Sequence, residues 1–284
     1  MPDRPDPSAA QAHEAYRAFE HAGWENAAAR YEAAFAGATR PYVPLLLDAA
    51  GAAPGKALLD VACGTGVCAR EAAARGAVAA GIDFSAAMIE TARRLHRGIA
   101  FHVGDAEALP FADRTFDAVA INFGAHHFPD PAAALREARR VTRAGGRIAF
   151  TVWAKGVNEA FAIVFAAVRA HGEAAGNYPA PPGGDLVSER DCLGLLARAG
   201  FAPECASARR VDAVWTLDRP QDLIDRFAAG TVRTARLLAA QTPERLAAIR
   251  AAAAAAVSRF RNGAAFDVPT AAILATGTVA GDER

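Results

Sequence analysis

The segment 57–70 limits what this chain can fold into more than any other. It opens on a short apolar run, Ala57, Leu58 and Leu59, the composition of a strand buried on both faces. The run closes on an acid, Asp60, and Gly64 and Gly66 follow before small residues lead into helix-like sequence through Ala74. A strand, a glycine turn and a helix start make a ligand cradle. Glycine lets the backbone approach a ligand where a side chain would collide, and the first turn of a helix offers unpaired N–H donors.

Two cofactor classes suit that cradle. Gly64-x-Gly66-x-x-Ala69 satisfies the dinucleotide fingerprint, with Asp83 at the spacing of a ribose-binding acid, which leaves an NAD(P)-dependent dehydrogenase open. Asp60-x-Ala62-x-Gly64-x-Gly66 resembles instead the first motif of the class I S-adenosylmethionine (SAM) methyltransferases, with Ala62 where that family most often has glycine. An acid ahead of the glycines suits a ligand carrying an ammonium and a sulfonium better than it suits a pyrophosphate.

The format of apolar strand ending in an acid recurs. The stretch 77–83 ends at Asp83, and Phe84 and Ser85 precede a helix over 86–95, with Ser85 as its N-cap. The stretch 99–105 ends at Gly104-Asp105, and the following Ala106 to Phe111 resembles the family phrase G-D-A-x-x-L-P-F. The resemblance implies that Asp83 accepts both ribose hydroxyls of the cofactor, a charged bidentate arrangement. It implies that Asp105 and the backbone N–H of Ala106 meet the donor and acceptor of adenine, and that Met88 lies over the ring. Three acids at the C-terminal ends of successive strands fit the rule that ligands bind outside the carboxyl ends of parallel strands.

A fourth strand, 116–122, leads to Asn122-Phe123-Gly124-Ala125 and then to His126-His127-Phe128-Pro129-Asp130. With Thr142-Arg143-Ala144-Gly145-Gly146 in place of L-K-P-G-G, this resembles the ubiquinone/menaquinone C-methyltransferase-like branch. The likeness is dense from about residue 57 to 153 and thin elsewhere. The Asn/Asp-Pro-Pro-Tyr tetrad of the methyltransferases that act on adenine or amide nitrogen is missing here, which argues against such acceptors. The implied cofactor set is Asp60, Ala62, Cys63, Gly64, Thr65, Gly66, Asp83, Phe84, Met88, Gly104, Asp105, Ala106, Asn122 and Phe123, and the cofactor is SAM. His126 and His127 are the candidate catalytic bases, since they fall beside the cofactor and imidazole titrates near neutrality. The alternative is that they wall the pocket.

The implied fold is α/β, a Rossmann-like doubly wound sheet of seven mostly parallel strands with an antiparallel last strand, plus helical lid elements. Residues 1–50 read as an N-terminal helical cap, with aromatics at Tyr16, Phe19, Trp24, Tyr31 and Phe35. Trp24 and Tyr31 are the candidate substrate contacts, with core packing as the competing role. Residues 51–218 read as the cofactor-binding core, 219–264 as a helical insertion, and 265–284 as the last strand and C-terminus. The insertion serves either as a lid over the cleft or as a homodimer surface.

Composition narrows the partners. The 284 residues carry 31 basic and 31 acidic side chains, so no basic field exists for nucleic acid or an anionic membrane. The opening residues 1–7 are polar and proline-punctuated, unlike a signal peptide, and no apolar run approaches the ~20 residues of a membrane span. Cys63, Cys68, Cys192 and Cys205 have no metal-ligand spacing and read as reduced thiols in the cytoplasm. A methyltransferase acting on a small-molecule acceptor by O-, C- or N-methylation is the reading favoured. A dehydrogenase, or a SAM-binding protein without transfer activity, is the alternative.

Overall fold

The computed structural model describes residues 7–173, 178–182 and 184–281. The polar opening 1–6, and Asn177 and Gly183 of the proline-rich loop, lie outside the described residues. One sheet organises the rest. β1 (Ala57–Val61), β2 (Val78–Asp83), β3 (Ala100–Val103), β4 (Phe116–Asn122) and β5 (Thr142–Trp153) run parallel in the spatial order 3-2-1-4-5. β6 (Ala206–Leu217) and β8 (Ala265–Thr278) make a long antiparallel ladder, and β8 lies between β5 and β6, antiparallel to both. Pro269 sits in this ladder opposite Val214. The sheet thus has an eighth strand beyond the seven expected: β7 (Arg261–Asn262), two polar residues folded back on β8 with no apolar pattern to announce them. A dinucleotide-binding sheet runs 3-2-1-4-5-6. The antiparallel β8 breaks that order.

Helices cover both faces. α1 (Pro7–Ala34), α2 (Ala36–Thr39) and α3 (Val43–Ala50) precede the sheet, while α4 (Val67–Ala74) and α5 (Ala86–Leu95) follow β1 and β2. α6 (Pro131–Val141) joins β4 to β5, and α7 (Glu159–His171) and α8 (Glu189–Arg198) lie between β5 and β6. α9 (Asp222–Gly230), α10 (Arg233–Ala239) and α11 (Pro243–Val257) fill the connection from β6 to β8. Their starts are written in the sequence as caps. Ser85 accepts from the Met88 N–H at 3.1 Å, and Asp130, followed by Pro131, accepts from the N–H groups of Ala132 and Ala133 at 3.0 Å each. Ser188 accepts from the Asp191 N–H, while the Asp191 carboxylate takes the N–H of Val187, so the capping box closes one residue early.

Of the four apolar cores among the described residues, three are large. On one face Leu135, Ala138 and Val141 of α6 meet Val119, Ile121 and Ile148 of the sheet, together with Leu195 and Leu196 of α8. On the other, Leu46 and Leu47 of α3 pack on Leu58, Ala120 and Ala272. Residues 43–50, grouped with the cap from sequence, therefore belong to the sheet layer. The third core joins the insertion to the cap: Phe35 meets Phe227, Trp215 and Leu223, while Ile163 and Val164 of α7 meet Ile249 and Val257 of α11. Among the described residues no helix is long and apolar enough to cross a membrane.

Candidate active site

The turn after β1 sets the floor of a cleft at the C-terminal edge of the sheet, at the point where strand order reverses between β1 and β4. Ala62 stands there at φ +54°, a left-handed backbone that disfavours any side chain and costs on the order of 1 kcal/mol. This is why glycine is the usual residue at that position. A Cβ added to Gly64 would meet nothing within 4 Å, so the backbone there faces open cleft. Gly66 differs: at φ +84° its Cβ would fall 2.7 Å from Phe101, so packing and backbone shape require that glycine.

Asp60 does not reach the cleft wall. It is 1% exposed, its Oδ2 accepts the Ala69 N–H at 2.9 Å, and its Oδ1 has no hydrogen-bond partner. Burial pushes its carboxyl up to about 8. It braces the helix start from behind. Thr65 is likewise turned away, its hydroxyl donating to Glu32 at 2.8 Å, and Cys63 packs with Ala69, Ile89 and Phe101. Of the six residues expected from the first motif, Ala62 and Gly64 line the cleft.

The remaining eight expected cofactor residues all line it: Asp83, Phe84, Met88, Gly104, Asp105, Ala106, Asn122 and Phe123. Asp83 accepts the N–H groups of Gly64 and Ser85 at 2.9 Å each, which aims the strand-end carboxylate and ties it to the glycine turn. Its burial raises its pKa to about 6, against the pull of those two donors. Asp105 is gripped by Arg17, whose other nitrogen reaches Glu107 at 2.6 Å. α1 is fastened over the cleft at two more points: Glu25 accepts from the Ser85 hydroxyl at 2.7 Å, and Glu32 holds Thr65.

A second chamber of about 510 Å³ adjoins this cleft, whose own free space is about 80 Å³. Trp24, Tyr31, Phe123 and His127 line both and form the wall they share. Phe123 takes φ +57° to present its ring there, stacked on Trp153 with centroids 3.9 Å apart. A left-handed aromatic at a strand end is the kind of strain that gathers at functional sites. Burial pushes the Tyr31 phenol up to about 12, so it stays protonated. Phe35, Trp153, Phe161, Phe165 and Tyr178 continue the chamber wall, and Lys155, Arg169 and Arg233 bring positive charge to it.

The two histidines part company. His126 lines the chamber alone, its Nδ1 is buried without a partner, and burial beside His127 holds its pKa well below the usual imidazole range. His127 lines both spaces and sets its Nδ1 2.9 Å from Oε2 of Glu20. Sequence reading missed Arg17 and Glu20. The available signal was their spacing: Arg17, Glu20, Trp24 and Tyr31 recur at three, four and seven residues, one face of α1.

Residues 59–150 match the family described as a methyltransferase domain. The chain is 46% identical over 112 residues to a demethylmenaquinone methyltransferase of Renibacterium salmoninarum, covering 39% of this chain and 47% of that protein. It is 42% identical over 112 residues to the Corynebacterium kroppenstedtii protein of the same name, covering 39% and 48%. The match thus spans about half the length of the curated relatives. Among solved structures it is similar to the YcgJ protein of Bacillus subtilis, at TM-score 0.53 and 19% identity, covering 86% of this chain and 99% of that one. It is also similar to the Haemonchus contortus phosphoethanolamine N-methyltransferase 2, at TM-score 0.51 and 18% identity, covering 84% and 52%. Both likenesses are likenesses of fold.

Proposed function

Starting from residues 59–150 as a class I SAM-dependent methyltransferase domain of the menaquinone/ubiquinone branch, we propose that this chain transfers a methyl group from SAM to a small-molecule acceptor. Two adjoining spaces carry the proposal: Trp24, Tyr31, Phe123 and His127 line both a carboxylate-rimmed cleft and a larger, aromatic chamber.

The residues present fit the cofactor. Open space beyond Gly64 leaves room for a ligand against the backbone, and Asp83 and Asp105 offer acceptors at the ends of β2 and β3. Ile82 and Met88 supply apolar surface for a purine, and the rings of Trp24, Tyr31 and Phe123 suit a cationic sulfur. When bound, SAM supplies a methyl group already activated by positive charge. The chain's own task is then to align the acceptor and exclude water. α1 covers the cleft, and Thr231 to Thr234 at the start of α10 close one side of the chamber. The insertion packs on α1 and α7 within the chain, which favours a lid over a homodimer surface.

His127 is the candidate base, since it alone of the pair borders both spaces and has a carboxylate partner. A chamber of this size weighs against a SAM-binding protein without transfer activity, and the antiparallel β8 weighs against a dehydrogenase. Zero net charge supports a partner list without nucleic acid, and four unpaired thiols suit the cytoplasm. Calorimetry with S-adenosylhomocysteine and with NAD⁺ tests the reading. Binding of the first alone supports it. Binding of NAD⁺ alone, or of neither at millimolar concentration, overturns it.

A further inference from the structure

Glu20 is a fully buried acid. It sits on α1, is 0% exposed, and is absent from the walls of both spaces. Burying a carboxylate costs heavily unless donors surround it. Here the donors are few and directed. The Trp24 indole donates to Oε2 at 3.1 Å, His127 Nδ1 stands 2.9 Å from the same oxygen, and Arg233 Nε lies 3.8 Å from Oε1. Oε1 itself has no hydrogen-bond partner. Against desolvation, the charge and hydrogen bond of His127 and the charge of Arg233 hold the Glu20 pKa below its ordinary value.

An ionised carboxylate can only accept hydrogen bonds, so the short contact requires the proton of His127 to sit on Nδ1. A neutral imidazole protonated on Nδ1 has its lone pair on Nε2, at the opposite edge of the ring. Nε2 makes no hydrogen bond among the described residues, and the ring borders cleft and chamber alike. Trp24, edge-on to that ring at 5.0 Å between centroids, fixes its plane. A neutral histidine ring can carry its proton on either nitrogen. The tautomer is a product of the fold.

We propose that Glu20 is a positioning residue that fixes His127 as a proton acceptor through Nε2, and that the acceptor it serves is an aromatic hydroxyl compound. This rests on the methyltransferase reading given above. The chemistry of the walls supports the class: Trp24, Tyr31, Phe123, Trp153, Phe161 and Tyr178 make them largely aromatic, suited to a planar apolar guest. In the transfer the hydroxyl proton passes to Nε2 and the oxygen forms its bond to the methyl carbon. The carbon–sulfur bond breaks with its electron pair left on sulfur. Glu20 balances the imidazolium until the proton leaves to solvent.

The test is a long-range ¹H–¹⁵N spectrum of histidine-labelled full chain, with His127 assigned from the His127→Asn spectrum. Wild type at alkaline pH is expected to show a protonated Nδ1 and an unprotonated Nε2, and Glu20→Leu, which removes the acceptor, to lose that preference. A wild-type ring protonated on Nε2, or a Glu20→Leu spectrum identical to wild type, overturns the positioning role. Should Glu20→Leu fail to fold, the wild-type spectrum decides alone. Adding 2-naphthol to chain saturated with S-adenosylhomocysteine is expected to shift the Nε2 resonance, while 2-methoxynaphthalene, which cannot donate, leaves it in place. No shift at millimolar 2-naphthol overturns the aromatic hydroxyl class. Calorimetry on the same samples separates the two claims: loss of S-adenosylhomocysteine binding sinks the methyltransferase reading, whatever the tautomer.

Discussion

The guanidinium of Arg17 on α1 spans the carboxylates of Asp105 and Glu107, closing one end of the cleft with a residue far away in sequence. The acid expected to read the cofactor's base is therefore engaged by the helix that covers it. Desolvation opposes the charge on Arg17, and the two carboxylates outweigh it, raising its pKa. The pair is a third exposed, so it acts as a latch and contributes little to stability, about 0–1 kcal/mol.

Arg17→Ala is expected to free the covering helix without unfolding the chain. Stopped-flow quenching of Trp24 fluorescence by S-adenosylhomocysteine is then expected to show association and dissociation both several-fold faster. Rates equal to wild type would mean that the latch does not gate the cleft.

Asp83 carries the ribose end of the reading. Asp83→Ala is expected to weaken S-adenosylhomocysteine binding by roughly 1–3 kcal/mol, the worth of hydrogen bonds to a charged group. Its carboxyl, raised to about 6, ionises late, so wild-type affinity should climb from pH 5 to pH 7 and then level. Calorimetry across that interval checks the slope, and Asp83→Asn is expected to abolish it.

Asp60 makes a stability prediction of opposite flavour. Its carboxyl titrates at 3.8 ordinarily and is pushed up to about 8 by burial. A carboxyl whose folded pKa is raised favours the fold most below the unfolded value, and that contribution is lost as pH rises toward the folded value. Asp60→Asn, neutral at every pH, is therefore expected to gain on wild type by up to about 1.4 kcal/mol per pH unit between pH 4 and pH 8. Urea denaturation at both ends of the range measures the gap, and a gap that is constant with pH refutes it.

Tyr31 and Phe123 both line cleft and chamber but should respond differently. The Tyr31 hydroxyl stands 3.5 Å from Thr39 Oγ1, too long to hold much energy, so Tyr31→Phe is expected to change stability by less than about 0.5 kcal/mol. Phe123→Ala removes a buried ring stacked on Trp153 and should cost about 3–5 kcal/mol. Thermal denaturation of the two variants distinguishes them.

Much of this was legible in the chain itself. The strand-acid-glycine format at Asp60 to Gly66, its repeats at Asp83 and Asp105, and the caps at Ser85 and Asp130 are local patterns, set by neighbours a few residues away. They determined the parallel half of the sheet and most of the cleft wall. Which acid faces the ligand was decided by tertiary structure, because Asp60 and Asp83 end similar strands yet one is turned into the helix start and the other toward the cleft. The same holds for α1. Its sequence specifies a helix, but only packing against α9 and Val232 lays it across the sheet edge and brings Arg17 to Asp105 and Glu20 to His127. Helical spacing puts Arg17 and Glu20 on one face of α1 but does not name partners 88 and 107 residues away, and a buried carboxylate reads like any solvated one until its neighbours are in place.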